Sequence, residues 1–282
     1  MISILCIAGP TASGKSSRAV EEALARSGEI ISVDSRQVYR GLDIGTEKIT
    51  REEMRGVPHH LVDIRGPEEN YSAGDFVVDA TRLIEEITGR GKLPILVGGT
   101  HFYFDALLSG LPMGVAANPR LRDELDALPN EELFARIKER DPRRAANLDP
   151  MNRRRLVRAL EIIATRGTVQ ARDIVSPYMV EWIVIDPPRE ELRVRINARL
   201  QSALERGLID EVRRVRELVG DTRLNELGLE YRIVNEFFNL AVSPPSPLGG
   251  ETAKLLPILS AKLWQYARRQ KAWLRKLGHP IS

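Results

Sequence analysis

The chain of 282 residues holds one cysteine, Cys6, so an internal disulfide is excluded. No apolar run approaches the roughly 20 residues that a bilayer-spanning helix needs. The first apolar strand begins at once, with no charged leader before it, so a secretion signal is not expected and a cytoplasmic location is. Net charge is nearly absent too. The 42 Lys and Arg against 39 Asp and Glu leave +3, and the sequence pI is about 9.1. Basic residues are instead concentrated locally, in 136–158, 189–216 and 268–276. Local basicity of this kind fits a nucleic-acid partner or a solvated face. No NKxD element is evident, which argues against a GTPase-like switch.

At 43% hydrophobic and 29% charged, the chain is expected to be globular with a sizeable core. Three continuously apolar runs read as buried parallel strands: 2–8, "EIISVDS" ending at Asp34, and "KLPILVGGT". Helices follow each, over 14–26, 73–90 with Ser72 as N-cap, and from His101 to a stop at Gly110. This alternation predicts an α/β fold, a parallel sheet flanked by helices, with ligands at the strands' C-terminal ends. From about 113 to 180 the pattern becomes helical, charged and arginine-rich. It reads as a helical insertion into a core made of 1–112 and 181–282. "VEWIVIDPP" restores a strand. Helices are expected at 189–206, 208–219, 229–241 and 257–277, and "AVSPPSPLGGE" reads as a loop.

"GPTASGKS", Gly9 to Ser16, matches G-x-x-x-x-G-K-[ST] in full. Gly9, Pro10, Thr11, Ala12, Ser13 and Gly14 supply a backbone that wraps phosphate. Lys15 adds a point charge and Ser16 a hydroxyl suited to Mg²⁺. The loop alone does not choose between a nucleoside triphosphate and another diphosphate. P-loop NTPases commonly carry a second apolar strand ending in Asp. Here "PILVGG" ends in glycines, and the nearest strand-terminal acid is Asp34. The ATPase apparatus therefore looks incomplete.

Asp34, Ser35 and Gln37 fall just past a strand end on the P-loop edge. A carboxylate beside a bound diphosphate is unfavourable unless it does chemistry or organises Mg²⁺; the other reading is a turn aspartate. The amide of Gln37 suits a base edge. Thr100 is expected to converge on the same cleft. His59 and His60 form an adjacent pair, and adjacent histidines rarely share one metal.

"GPTASGKS", "ISVDSRQVYRGLDIGTEK", "PHHLVDI", "YSAGDF", "PILVGGTHFYFDALLSGL" and "RRLVRALEI" occur in this order. Together they resemble the tRNA dimethylallyltransferases (tRNA isopentenyltransferases). The resemblance implies a P-loop NTPase-like core whose loop binds the diphosphate of dimethylallyl diphosphate rather than ATP. It implies transfer of the dimethylallyl group to N6 of the adenosine 3′ of the tRNA anticodon. Asp34 would be the general base, with Lys15, Thr11 and Thr100 as its catalytic companions and Mg²⁺ on Ser16. Contacts to tRNA are implied for Asp34, Ser35, Arg36, Gln37 and Thr100, for Arg122, Arg154, Arg155 and Arg158, and for Arg269, Gln270 and Arg275. The partner is an anticodon stem-loop whose target base is flipped out. No membrane is implied, and a monomer is the default.

The chain departs from the family at "NELGLEY", Asn225 to Tyr231, where many bacterial members read RxxGYRQ. Either Arg223 or Arg232 compensates, or binding geometry is altered. Two other activities fit a P-loop: prenyl transfer to free AMP, ADP or ATP, and phosphoryl transfer by a small-molecule kinase. The arginine-rich insertion argues against the first, because a small nucleotide does not need it.

Overall fold

A computed structural model describes residues 1–110, 118–168, 176–240 and 252–275. The loop expected at 241–251 lies outside the described residues. In chain order the elements begin β1 Ile2–Ala8, α1 Lys15–Arg26, β2 Gly28–Val33, α2 Arg51–Met54, β3 His59–His60, α3 Ala73–Gly89, β4 Leu93–Gly98 and α4 His101–Ser109. Next come α5 Pro119–Asp126, α6 Asn130–Arg140, α7 Pro142–Ala145 and α8 Arg153–Arg166. The chain continues with β5 Tyr178–Val184, α9 Arg189–Glu205, α10 Leu208–Leu224, α11 Leu229–Leu240 and α12 Thr252–Leu274.

The five strands form one parallel sheet in the order β3-β2-β4-β1-β5. β1 is apolar from Ile4 to Ala8, where both of its faces are covered. Ile4, Cys6 and Ala8 join one core cluster, while Leu5 and Ile7 join another with Ala19, Val20 and Ala23 of α1. Cys6 is a buried core residue whose thiol is pushed up by desolvation. Register brings four strand ends level, since Ala8 pairs with Gly98 and Val184, and Gly98 with Val33. Gly98 is required there, because a Cβ on it would stand 2.0 Å from the Val33 carbonyl oxygen.

The chain divides into two compact units. One comprises Met1–Leu108 and the segment from Pro177; the other is Ser109–Ser176. The second unit has its own core, with Leu125, Leu133, Ile137, Leu156 and Leu160. Its C-terminal edge falls before residue 180 because β5 starts at Tyr178 and pairs with Ile2.

Two helix boundaries and one strand differ from expectation. α10 runs on to Leu224 through a non-helical Gly220 at φ 72 and ψ 172, a conformation glycine adopts without a Cβ clash. α12 begins at Thr252, with Pro257 inside it rather than at its start. That proline forfeits one backbone hydrogen bond. The short edge strand β3 was not anticipated; its His59 and His60 pair with Ile30 and Ile31. Those histidines serve the fold. His59 Nδ1 meets the Val57 carbonyl at 2.8 Å, and His60 Nε2 meets Glu29, which also binds Arg90. Among the described residues no helix is long and apolar enough to cross a membrane.

Candidate functional site

The P-loop joins the end of β1 to α1. Ala12 and Gly14 take left-handed backbone angles, φ 60 and 88, and the Ser13 amide donates to the Pro10 carbonyl at 3.3 Å. Such turns just before a helix N-terminus are the backbone arrangement that binds anions. Lys15 Nζ donates to the Pro10 carbonyl at 3.2 Å. Burial pushes its ammonium down to about 8, against the pull of Asp34 and with a further push from Arg199. A phosphate would relieve that desolvation. Ser16 is exposed at the start of α1, and no hydrogen bond reaches its hydroxyl among the described residues.

Distant elements fix this loop. Gln270 of α12 is 4% exposed; its Oε1 accepts from the Thr11 amide at 2.9 Å and its Nε2 donates to the Gly99 carbonyl at 2.9 Å. Gln270, for which the resemblance implies a tRNA contact, is buried here, and its amide bolts the P-loop to the end of β4. Two arginines of α9 also reach the loop. Arg195 donates to the Ser13 carbonyl at 3.0 Å, and Arg199 donates to the Thr11 hydroxyl. Arg199 is held in turn by Glu230 at 3.2 Å. The Glu230 carboxyl is raised by burial, an effect Arg199 opposes and Asp34 reinforces.

Within the departure at 225–231, Glu230 is tied to this loop through Arg199. Arg223 is tied to the Pro67 and Glu69 carbonyls and the Tyr39 hydroxyl, and Arg232 pairs with Glu236. Neither bonds a P-loop residue among the described residues. The guanidinium beside the loop comes from α9, and Glu230 orients it. Sequence reasoning missed Arg199 because it is one of many arginines on a charged helix, 188 positions from Thr11.

Asp34 follows β2. Its Oδ1 accepts from the Arg36 amide at 2.8 Å and the Gln37 amide at 3.3 Å, the turn role considered for it. Among the described residues no hydrogen bond reaches Oδ2. Thr100 closes β4, and its hydroxyl accepts from the Ser35 amide at 3.1 Å and donates to the Ser35 hydroxyl at 3.4 Å. The two strand ends are thereby stitched beside the P-loop. Arg36 makes no side-chain hydrogen bond among the described residues. Gln37, for which a tRNA contact is likewise implied, bonds within the protein here. Its Nε2 donates to the Thr46 and Glu47 carbonyls at 3.2 and 3.1 Å, and its Oε1 accepts from Ser32, so its amide is occupied within its own loop.

That loop, 43–47, is held from below. The buried Glu211 carboxylate accepts from the amides of Asp43, Ile44 and Gly45 and from the Tyr231 hydroxyl, at 3.0, 2.8, 2.9 and 2.6 Å. Four donors on one carboxylate offset its burial.

In the second unit, Arg122 and Arg158 both bind Glu161, at 2.7 and 3.0 Å. Glu161 is 1% exposed; burial raises its carboxyl, but the two guanidiniums and the Asn118 amide outweigh that and leave it lowered. Both arginines, for which a tRNA contact is implied, bind this buried acid, with part of each side chain still exposed. Arg154 and Arg155 are exposed on the first turn of α8. Arg269 and Arg275 are exposed on and just after α12, and neither forms an ion pair among the described residues.

A parallel α/β sheet whose strand ends carry a P-loop, a flanking carboxylate and two cations defines a P-loop phosphate-binding protein. Similarity to known proteins narrows this. The IPP transferase family matches residues 37–277. A tRNA dimethylallyltransferase of Thermomicrobium roseum is 40% identical over 284 residues, covering 97% of this chain and 84% of the relative. One from Roseiflexus sp. is 41% identical over 292 residues, covering 100% and 93%. The crystal structure of the full-length tRNA isopentenylpyrophosphate transferase of Bacillus halodurans aligns at 38% identity and TM-score 0.69, covering 98% of this chain and 87% of that one. A eukaryotic dimethylallyltransferase crystallised acting on tRNA aligns at 27% identity and TM-score 0.84, covering 97% and 70%. The chain belongs to the IPP transferase family, whose matching relatives are tRNA dimethylallyltransferases.

Proposed function

We propose that this chain transfers a dimethylallyl group from dimethylallyl diphosphate to N6 of the adenosine 3′-adjacent to the anticodon in tRNA, releasing diphosphate. The observation that carries the reading is the open Oδ2 of Asp34, set beside a loop built to hold an anion. The P-loop amides, Lys15 and Arg199 grip the diphosphate. As the C1–O bond breaks, its electron pair moves onto that diphosphate, where fixed donors stabilise it most. The N6 lone pair forms the new N–C1 bond, and the N6 proton passes to Asp34. Arg199 also holds the Thr11 hydroxyl, and Gln270 holds the Thr11 amide, so the cradle is preorganised.

The exposed, unbonded Ser16 hydroxyl is a hard oxygen donor of the kind Mg²⁺ takes alongside phosphate oxygens. Bound there, Mg²⁺ would neutralise charge on the leaving diphosphate. The exposed Arg154, Arg155, Arg269 and Arg275 fit phosphate contacts to an anticodon stem-loop. We assign a cytoplasmic monomer.

The test combines labelled dimethylallyl diphosphate with an adenine-bearing anticodon hairpin, AMP, and ATP plus acceptors. Label on the hairpin adenine is expected. Transfer to AMP alone, or phosphoryl transfer from ATP, overturns the proposal. Asp34→Ala should lose at least about 100-fold in turnover, the scale of general-base catalysis, while keeping donor affinity.

A further inference from the structure

His101 is the first residue of α4, directly after Thr100. It is 8% exposed, and its Nε2 is buried with no hydrogen-bond partner. Leaving such an atom unsatisfied is costly unless something else meets it. The ring cannot turn away freely. It stacks on Trp273 at 4.2 Å between centroids and 10° between planes, and Trp273 Nε1 is pinned by Asp105 Oδ2 at 3.0 Å. Lys15 runs past the same turn, with its Cε 3.7 Å from where a Cβ on Gly99 would stand. Burial, then Lys15, push the imidazole down to about 4, so it stays neutral near pH 7. A neutral imidazole offers one N–H. Close enough to Lys15 to feel its charge, and at a helix N-terminus, that donor suits an anion that Lys15 also holds.

We infer that the Nε2–H of His101 donates a hydrogen bond to the diphosphate held by the P-loop, making His101 a further binding residue for the allylic diphosphate. This rests on the diphosphate reading of the loop. The Trp273 stack is then a positioning device that aims the imidazole.

The test is calorimetric binding of inorganic pyrophosphate to wild type, His101→Phe and His101→Gln, with the thermal midpoint of each. Phenylalanine keeps a ring on Trp273 but has no donor, and glutamine restores one at a similar reach. A hydrogen bond to a charged group corresponds to about 10- to 100-fold in affinity. His101→Phe should weaken pyrophosphate by that factor with an unchanged midpoint, and His101→Gln should recover most of it. Wild-type affinity in His101→Phe overturns the assignment and leaves prenyl transfer standing. Equal weakening in both variants with a lowered midpoint also overturns it, in favour of packing. If the wild-type protein fails to bind pyrophosphate, the diphosphate cradle itself is wrong.

Discussion

Replacing Gln270 with alanine removes both hydrogen bonds that join the P-loop to the end of β4. Thr11 is 7% exposed, and the Gly99 carbonyl is buried beside it. Each loses a partner at 2.9 Å, and the removed amide leaves little room for water to replace it well. An unsatisfied buried backbone group costs about 1–3 kcal/mol, so the pair costs about 2–4 kcal/mol after partial relaxation. For a chain of 282 residues that lowers the thermal midpoint by about 3–7 °C. The second consequence is functional. The Thr11 amide is freed from its fixed direction, so pyrophosphate affinity should fall by about 10-fold or more. Gln270→Glu separates the two bonds, because a carboxylate accepts from Thr11 but does not donate to Gly99. It should bind pyrophosphate worse than alanine does, through charge repulsion, and lose more of the midpoint, because the buried carboxylate faces the Gly99 carbonyl. Calorimetric titration and thermal unfolding measure both effects. A Gln270→Ala protein with the wild-type midpoint and wild-type pyrophosphate affinity would refute the bolt, and an unaltered loop with selectively weakened RNA binding would return Gln270 to the RNA surface.

Lys15 gives a pH prediction. Its folded value of about 8 lies below the ordinary 10.5, so the unfolded chain binds more protons between them and unliganded stability should rise with pH across that window. Pyrophosphate favours the ammonium, so binding at about pH 8.5 should take up a proton; equal enthalpies in buffers of unlike ionisation heat would contradict this. Glu161→Ala should destabilise the second unit by about 1–3 kcal/mol, a buried-pair loss discounted for the exposure of its arginines. Hydrogen exchange confined to 118–166 reads this out, and unchanged protection there would count against it. Arg154→Ala with Arg155→Ala should weaken anticodon-hairpin binding and flatten its dependence on salt by up to about two phosphate contacts; an unaltered slope would make that face merely solvated.

The α/β alternation was legible because buried parallel strands leave continuous apolar runs. β1 shows why, with Leu5 and Ile7 facing one cluster and Ile4, Cys6 and Ala8 the other. The Ser72 cap was legible because a capping box is local: Ser72 and Asp75 bond each other's backbone across three residues. β3 was not, since two residues carry no periodicity. The bonds of the Gln37 amide were not legible, because carbonyls 46 and 47 return to it only through the fold.

The eight residues of the P-loop carry their own geometry, since glycine torsions, a helix N-terminus and a lysine are all set within one turn of chain. That much the sequence determined alone, and it sufficed to expect an anion there. Which side chains complete the cradle was decided by the tertiary structure. Arg199, Gln270 and His101 belong to helices whose sequence pattern records only a buried stripe and a polar face. Their reach toward Thr11, Gly99 and Lys15 depends on how α4, α9 and α12 pack, and helix periodicity fixes which residues share a face but not what that face meets.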